Sequence, residues 1–200
     1  PISEAWRLSE IAHLEGRAPA AFLTPRFARY HILSRQIMDI VRAHSPRLEE
    51  TSVDETYFEV PAATFPEAAG LCRKIKQEIK EKIGLTSSIG IGPNKMIAKI
   101  ASDFKKPDGL TAVSPEEVEA FLDPLPVRKI PGIGPKTEEK LRRLGILKVG
   151  EIKVLSKEKL RELFGAWGER LFDKARGISD SELTEADEVI AKSVGEHETF

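Results

Sequence analysis

Two adjacent carboxylates, Asp54 and Glu55, stand in the run Ser52-Val53-Asp54-Glu55-Thr56-Tyr57-Phe58-Glu59-Val60. Neighbours in a regular strand face opposite sides, so this pair converges only at a turn or bulge, where its mutual repulsion calls for a cation. Magnesium suits such a place, because it takes oxygen ligands, keeps several waters and is held by one or two carboxylates together with substrate phosphates. Two solvated acids at a hairpin tip are the plainer alternative that spacing alone leaves open.

A second constellation is more specific. Pro131-Gly132-Ile133-Gly134-Pro135-Lys136-Thr137 lies between a short helical stretch, 127–130, and a predicted helix over 136–144 that Gly145-Ile146 closes. This is the helix-hairpin-helix pattern: glycines let the backbone turn tightly against a phosphate, and the next helix N-terminus offers free N–H groups and positive dipole. Such a hairpin grips nucleic-acid backbone without reading bases, and Lys136, Lys140, Arg142 and Arg143 supply charge for it. A glycine turn joining two helices of a bundle is the competing reading.

Weaker signals surround these two. Lys105-Lys106-Pro107-Asp108-Gly109 sets a basic pair before a turn, where a lysine could meet a triphosphate as a point charge or simply lie in a solvated loop. Gly90-Ile91-Gly92-Pro93-Asn94-Lys95 lacks the third glycine of a dinucleotide fingerprint and has no Gly-Lys-Ser/Thr, so it is read as the end of a buried strand and the start of a helix facing a substrate groove. Phe164 and the leucines of 160–172 are read as core. Cys72 is the single cysteine, and His13, His31, His44 and His197 lack metal-ligand spacing.

The elements that must position these residues fall into two classes. Thr24-Pro25 signals a helix start, followed by Phe27, Leu33, Ile37, Ile40 and Val41 near helical spacing, with Pro46 as the stop. Residues 47–60 suit two short strands around Asp54. Pro66 opens a helix with Leu71, Ile75, Ile79 and Ile83 on one face and Gly84 at its end. A strand over 85–91, a helix over 94–103 and a strand over 110–113 complete an α/β sandwich with mixed strand order. From Ser114-Pro115-Glu116-Glu117, a strong helix start, the pattern is helical to about 177, with an acidic linker at 180–188 and a strand over 192–200 behind it. The expected class is α+β: a mixed sheet with helices packed on it, then a small all-α domain.

At 200 residues and 40% hydrophobic the chain can bury a real core, and 31 Lys+Arg against 32 Asp+Glu leave a net charge of -1, so any nucleic-acid site must be local. Residues 128–176 indeed hold 14 basic against 7 acidic side chains, 66–115 hold nine against five, and 177–200 hold one against seven. No apolar run approaches the roughly 18 to 20 residues that span a bilayer, and no secretion signal opens the chain, so no membrane partner is expected and the cytoplasm is the default address. Because the chain begins with Pro1 and stops inside an expected strand, it reads as a piece of something longer.

Taken in order, these segments resemble the Y-family (translesion) DNA polymerases of the DNA polymerase IV type. Residues 1–5 resemble the end of the fingers motif, and Ser52-Val53-Asp54-Glu55 resembles the catalytic Ser-Ile-Asp-Glu. Ser88-Ile89-Gly90-Ile91 with Asn94-Lys95, Ala98-Lys99, Ala101-Ser102 and Lys106-Pro107-Asp108-Gly109 resembles the second palm signature. Pro131 to Gly134 resembles the thumb hairpin, and Lys192-Ser193-Val194-Gly195 the opening strand of the little finger. The resemblance implies fingers for about 1–24, palm for 25–115, thumb for 116–182, and a linker with the first little-finger strand for 183–200. It further implies two Mg²⁺ ions roughly 3.5 to 4 Å apart, with Asp54 and Glu55 as catalytic metal ligands and Lys106 on the incoming deoxynucleoside triphosphate. Gly132, Gly134, Lys136, Thr137, Lys95 and Lys99 are implied to hold primer-template DNA, and a sliding clamp would be reached through regions outside this chain. The family's other catalytic aspartate, its steric-gate aromatic and its triphosphate-binding tyrosine and arginine match nothing in this sequence, so the chain alone is expected to be inactive or nearly so. Two other classes compete: a non-catalytic DNA-binding module built on the hairpin, and a nucleotidyl cyclase, against which the hairpin argues.

Overall fold

Residues 2–14 contain no glycine or proline and wind into α1 (Ile2–Leu14), whose first turn is held by Arg7 on Glu4 at 2.6 Å. The computed structural model describes residues 1–184, and the expected strand over 192–200, with the Lys192-Ser193-Val194-Gly195 match, lies outside them. The chain divides into two units, 1–32 and 33 onward. In the first, the rings of Trp6 and Phe22 meet at 5.0 Å and the Ser9 hydroxyl accepts the Ala20 N–H at 2.8 Å, tying the segment after α1 back onto it.

Helix α2 (Phe27–Arg42) begins in the first unit and ends in the second. Its start differs from the expected Thr24-Pro25 cap: the Tyr30 N–H bonds the Arg26 carbonyl, so the helical ladder opens two residues later. The following residues, 48–58, form an antiparallel hairpin of β1 (Leu48–Glu50) and β2 (Thr56–Phe58), in register Leu48–Phe58, Glu49–Tyr57 and Glu50–Thr56. Helix α3 (Phe65–Ile83) starts where the Thr64 hydroxyl accepts the Glu67 N–H, and it stops at left-handed Gly84. Its apolar stripe, Ile75 and Ile79, packs with Ile40 and Val41 of α2 against Leu48, Phe58 and Ile89, and His44 meets Glu78 at 2.6 Å beside this core.

A parallel pair follows: β3 (Ile89–Ile91), α4 (Lys95–Phe104) and β4 (Leu110–Ala112), the helix making the crossover that parallel strands require. The expected strand over 85–91 is shorter, 89–91, and the Ser87 carbonyl before it accepts from Lys76. Gly90 is the contact between β3 and the helix: a Cβ there would lie 2.0 Å from the Ala98 carbonyl oxygen, so only glycine admits the helix so closely. Among the described residues the mixed strand order takes the form of two separate two-stranded ladders, one antiparallel and one parallel.

After a capping box between Ser114 and Glu117, the regular elements of the described residues are helices: α5 (Val118–Leu122), α6 (Pro135–Arg143), α7 (Val149–Ile152), α8 (Lys157–Phe164) and α9 (Ala166–Ala175). Their core, from Val118 through Leu141 and Leu160 to Leu171, is continuous with Met96, Ile97 and Ile100 of α4, so apolar packing runs unbroken across residue 115. Among the described residues no helix is long and apolar enough to cross a membrane.

The segment after α9 returns to the mixed part of the unit. Asn94 donates to the Gly177 carbonyl at 2.8 Å, Arg47 donates to the Leu183 carbonyl at 2.9 Å, and the Thr184 N–H donates to Glu49 at 2.7 Å. Leu183 is buried between these bonds, so the front half of the acidic linker is a docked strap.

Candidate metal centre and nucleic-acid interface

Asp54 and Glu55 occupy the five-residue loop that joins β1 to β2. The Glu55 carbonyl closes it, accepting the N–H groups of Thr51 and Ser52 at 3.1 and 3.2 Å and the Thr51 hydroxyl at 3.1 Å. The Ser52 hydroxyl donates to Asp54 Oδ1 at 2.7 Å. Both carboxylates are exposed and stand at neighbouring positions of one turn rather than within a strand.

Across from the loop stands α4. Lys95 and Lys99 lie one turn apart on it and both reach the hairpin: Lys95 pairs with Glu49 at 2.5 Å, and Lys99 pairs with Glu55. Tyr57, directly across the ladder from Glu49, sits among these four charges, with the Lys95 ammonium 5.8 Å from its ring centre. Burial, with Glu55 and Glu49 nearby, pushes the Tyr57 phenol up against the opposing pull of Lys99 and Lys95. Burial works most strongly against the charged Lys99, but the bond and charge of Glu55, with Asp103 and Tyr57 nearby, together outweigh it and hold its pKa above the usual lysine value. For Glu49 the burial cost is likewise outweighed, by Lys95 and the Thr184 N–H, and its carboxyl is held below the ordinary value. Two ion pairs thus join the hairpin to α4.

Lys106 behaves differently. It follows α4 by two residues and pairs at 2.5 Å with Asp103 in its own turn; no bond joins it to Asp54 or Glu55 among the described residues. Its loop is anchored from below, where Lys76 of α3 meets Asp108 at 2.6 Å.

The donor chemistry fits a hard divalent cation in part. Two carboxylates in one exposed turn match the one or two that magnesium takes alongside waters and phosphate oxygens. Among the described residues no group of three or more acidic, histidine or cysteine side chains gathers as a complete cage.

The glycine hairpin forms as the pattern requires. A 3-10 turn at Val127–Lys129 leads through Ile130 and Ile133, both buried, to α6, whose first residue, Pro135, needs no N–H partner. Gly132 has φ +97, and a Cβ on it would stand 2.5 Å from the Trp167 ring. Gly134 caps α6 with nothing within 4 Å of where a Cβ would be, so the helix start opens outward. Lys136 is exposed beside it and Thr137 is half-buried. Lys140 is committed elsewhere: it donates to the Leu163 carbonyl and lies 4.9 Å from the Phe164 ring centre, pinning α6 to α8. Arg143 pairs with Glu139 at 2.5 Å.

The sequence reading missed Glu49, Tyr57 and Trp167. The strand alternation that sets Glu49 across from Tyr57 was a usable signal; the placement of Trp167 against Gly132 depends on how α9 packs and has no local one.

Residues 2–103 match the impB/mucB/samB family, and residues 115–146 match the helix-hairpin-helix motif of the same group. The chain is 41% identical over its full length to DNA polymerase IV 2 of Methanosarcina mazei, spanning 52% of that protein, and 45% identical over 86% of its length to DNA polymerase IV of Methanoculleus marisnigri, spanning 47%. It therefore spans about half the length of the curated relatives it matches. Among solved structures it is similar to the insertion ternary complex of Dbh DNA polymerase (33% identity, TM-score 0.79, 92% of this chain and 52% of that one). It is also similar to DinB from Sulfolobus solfataricus (35% identity, TM-score 0.76, 82% and 49%). Matched over more than half its length by the family model and again over its glycine hairpin, the chain belongs to the impB/mucB/samB family of Y-family DNA polymerases.

Proposed function

We propose that this chain supplies the acidic hairpin and the duplex grip of a translesion-type DNA polymerase, which adds deoxynucleotides to a primer 3′ end opposite damaged or undamaged template. The observation that carries this reading is the exposed turn presenting Asp54 and Glu55 together, braced by α4. Asp54 and Glu55 are the residues that would hold divalent metal, Mg²⁺ in two copies, whose chemistry when bound is to favour the 3′-oxygen as nucleophile and to offset charge on the leaving pyrophosphate. Lys106 meets the triphosphate after parting from Asp103. The open α6 start at Gly134, with Lys136 and Thr137, accepts a primer phosphate, and Gly132 shapes the turn that presents it. Lys95 and Lys99 line the DNA side of α4. In this reading residues 1–24 end the fingers, 25–115 are palm, 116–182 are thumb and 183–200 begin the link to a little finger. With two carboxylates only at the turn, the chain by itself extends primers feebly or not at all.

The test is Asp54→Ala in the longest form that contains this region. Mg²⁺-dependent primer extension should vanish while duplex affinity stays within about twofold of wild type, because the removed side chain is exposed and its loop is closed by backbone bonds. Near-normal extension rejects the reading.

A further inference from the structure

The Glu55 carboxylate is not waiting bare. It shares a five-residue turn with Asp54, so a nearby cation favours its charged form whether or not a divalent ion is present. The structure supplies one, the Lys99 ammonium, delivered from a different element 44 residues away. The neighbouring pair is built to another standard. Lys95 and Glu49 are 20% and 18% exposed, and Glu49 also accepts the Thr184 N–H, so that pair is a fixed joint. Lys99 and Glu55 are 29% and 46% exposed, and Glu55 Oε1 has no second side-chain or backbone donor among the described residues. An ion pair open to solvent costs little to separate.

We propose that Lys99 is a positioning residue and the resident counter-charge of Glu55: it holds the carboxylate toward α4 while no divalent ion is bound and yields it when one arrives. An ammonium and a divalent cation repel, so occupation of Glu55 by metal drives Lys99 off and leaves its charge free for a DNA phosphate on the same side of α4. One lysine thereby couples metal entry to duplex contact. The inference rests on the metal-binding reading of the hairpin, and its test separates the two.

The probe is Mn²⁺ alone, titrated into this chain without DNA or nucleotide, with the unbound ion followed by electron paramagnetic resonance. Lys99→Met should bind Mn²⁺ about two- to fivefold more tightly than wild type, the range an exposed pair supports. Lys99→Arg, which keeps the charge, should match wild type. Lys95→Met should stay within about 1.5-fold, since Glu49 is not the metal's ligand and a more distant charge is screened. The gain in Lys99→Met should shrink in high salt, and circular dichroism of each variant confirms folding. Equal affinity in Lys99→Met and wild type, with Glu55→Gln abolishing binding, overturns the counter-charge role and leaves the metal reading standing. An equal gain in Lys95→Met overturns it too, as a mere effect of lost positive field. Mn²⁺ binding indifferent to Glu55→Gln overturns the metal reading and the inference with it.

Discussion

Gly132 and Gly134 stand two residues apart in one turn, yet their surroundings ask opposite things of them. At Gly132 a side chain meets both a left-handed backbone and the Trp167 ring. Gly132→Ala should therefore cost about 2 kcal/mol or more, lowering the melting temperature by about 4 to 8 °C. At Gly134 the backbone is ordinary and the space above it empty, so Gly134→Ala should keep stability within about 1 kcal/mol while weakening duplex binding about fivefold by crowding the phosphate approach. Thermal melts and binding isotherms on both variants check this; the opposite assignment of damage would remove Gly134 from the interface. The motif's two glycines were legible in the sequence as a pair, because their spacing is what a phosphate-gripping turn needs. Their division of labour was not, because one half of it lies in Trp167, a residue 35 positions on that no local pattern ties to the turn.

Between elements, the strap and the hairpin meet at Glu49, and pH probes that joint. The Glu49 carboxyl is held below its ordinary value of 4.5, so its contribution is complete above 4.5 and is lost as pH falls through the lower folded-state value. Glu49→Gln should thus lower stability by about 1 kcal/mol at neutral pH, with the difference from wild type fading in acid. Thr184 amide exchange should quicken in the variant. A difference that persists unchanged in acid would assign the effect to something other than charge. Most elements could be read beforehand: Pro66 and Gly84 bracket α3, and Asn94, whose side chain accepts the Ile97 N–H, opens α4. The start of α2 could not, since Thr24-Pro25 carries a capping signature and the first ladder acceptor is nevertheless Arg26. The two joints from α4 to the hairpin were also hidden. Lys95 and Lys99 show one-turn spacing in the sequence, but which carboxylate each meets depends on how α4 packs beside the hairpin, a long-range contact that no local pattern carries.

Across the whole molecule a net charge of -1 conceals a basic segment of 14 against 7 over residues 128–176. Several of those charges are spoken for, Lys140 by Leu163 and Phe164, Arg143 by Glu139, and Lys153 by Glu119 and Asp123 at 2.6 Å. Binding of this chain to duplex DNA should accordingly involve about three phosphates, giving a slope near -3 for log affinity against log salt. It should be indifferent to base sequence and to added nucleotide. A slope near zero would dissociate the helical part from nucleic acid altogether.

Trp167 is one of only two tryptophans in the chain, the other being Trp6 in the first unit. Its ring closes on Gly132, and its Nε1 has no hydrogen-bond partner among the described residues. The grip on DNA therefore comes with its own optical reporter. In a Trp6→Phe background, intrinsic fluorescence should change as duplex is titrated in, and should change less when Gly134→Ala is added, so that occupancy of the turn can be read by light without any attached dye.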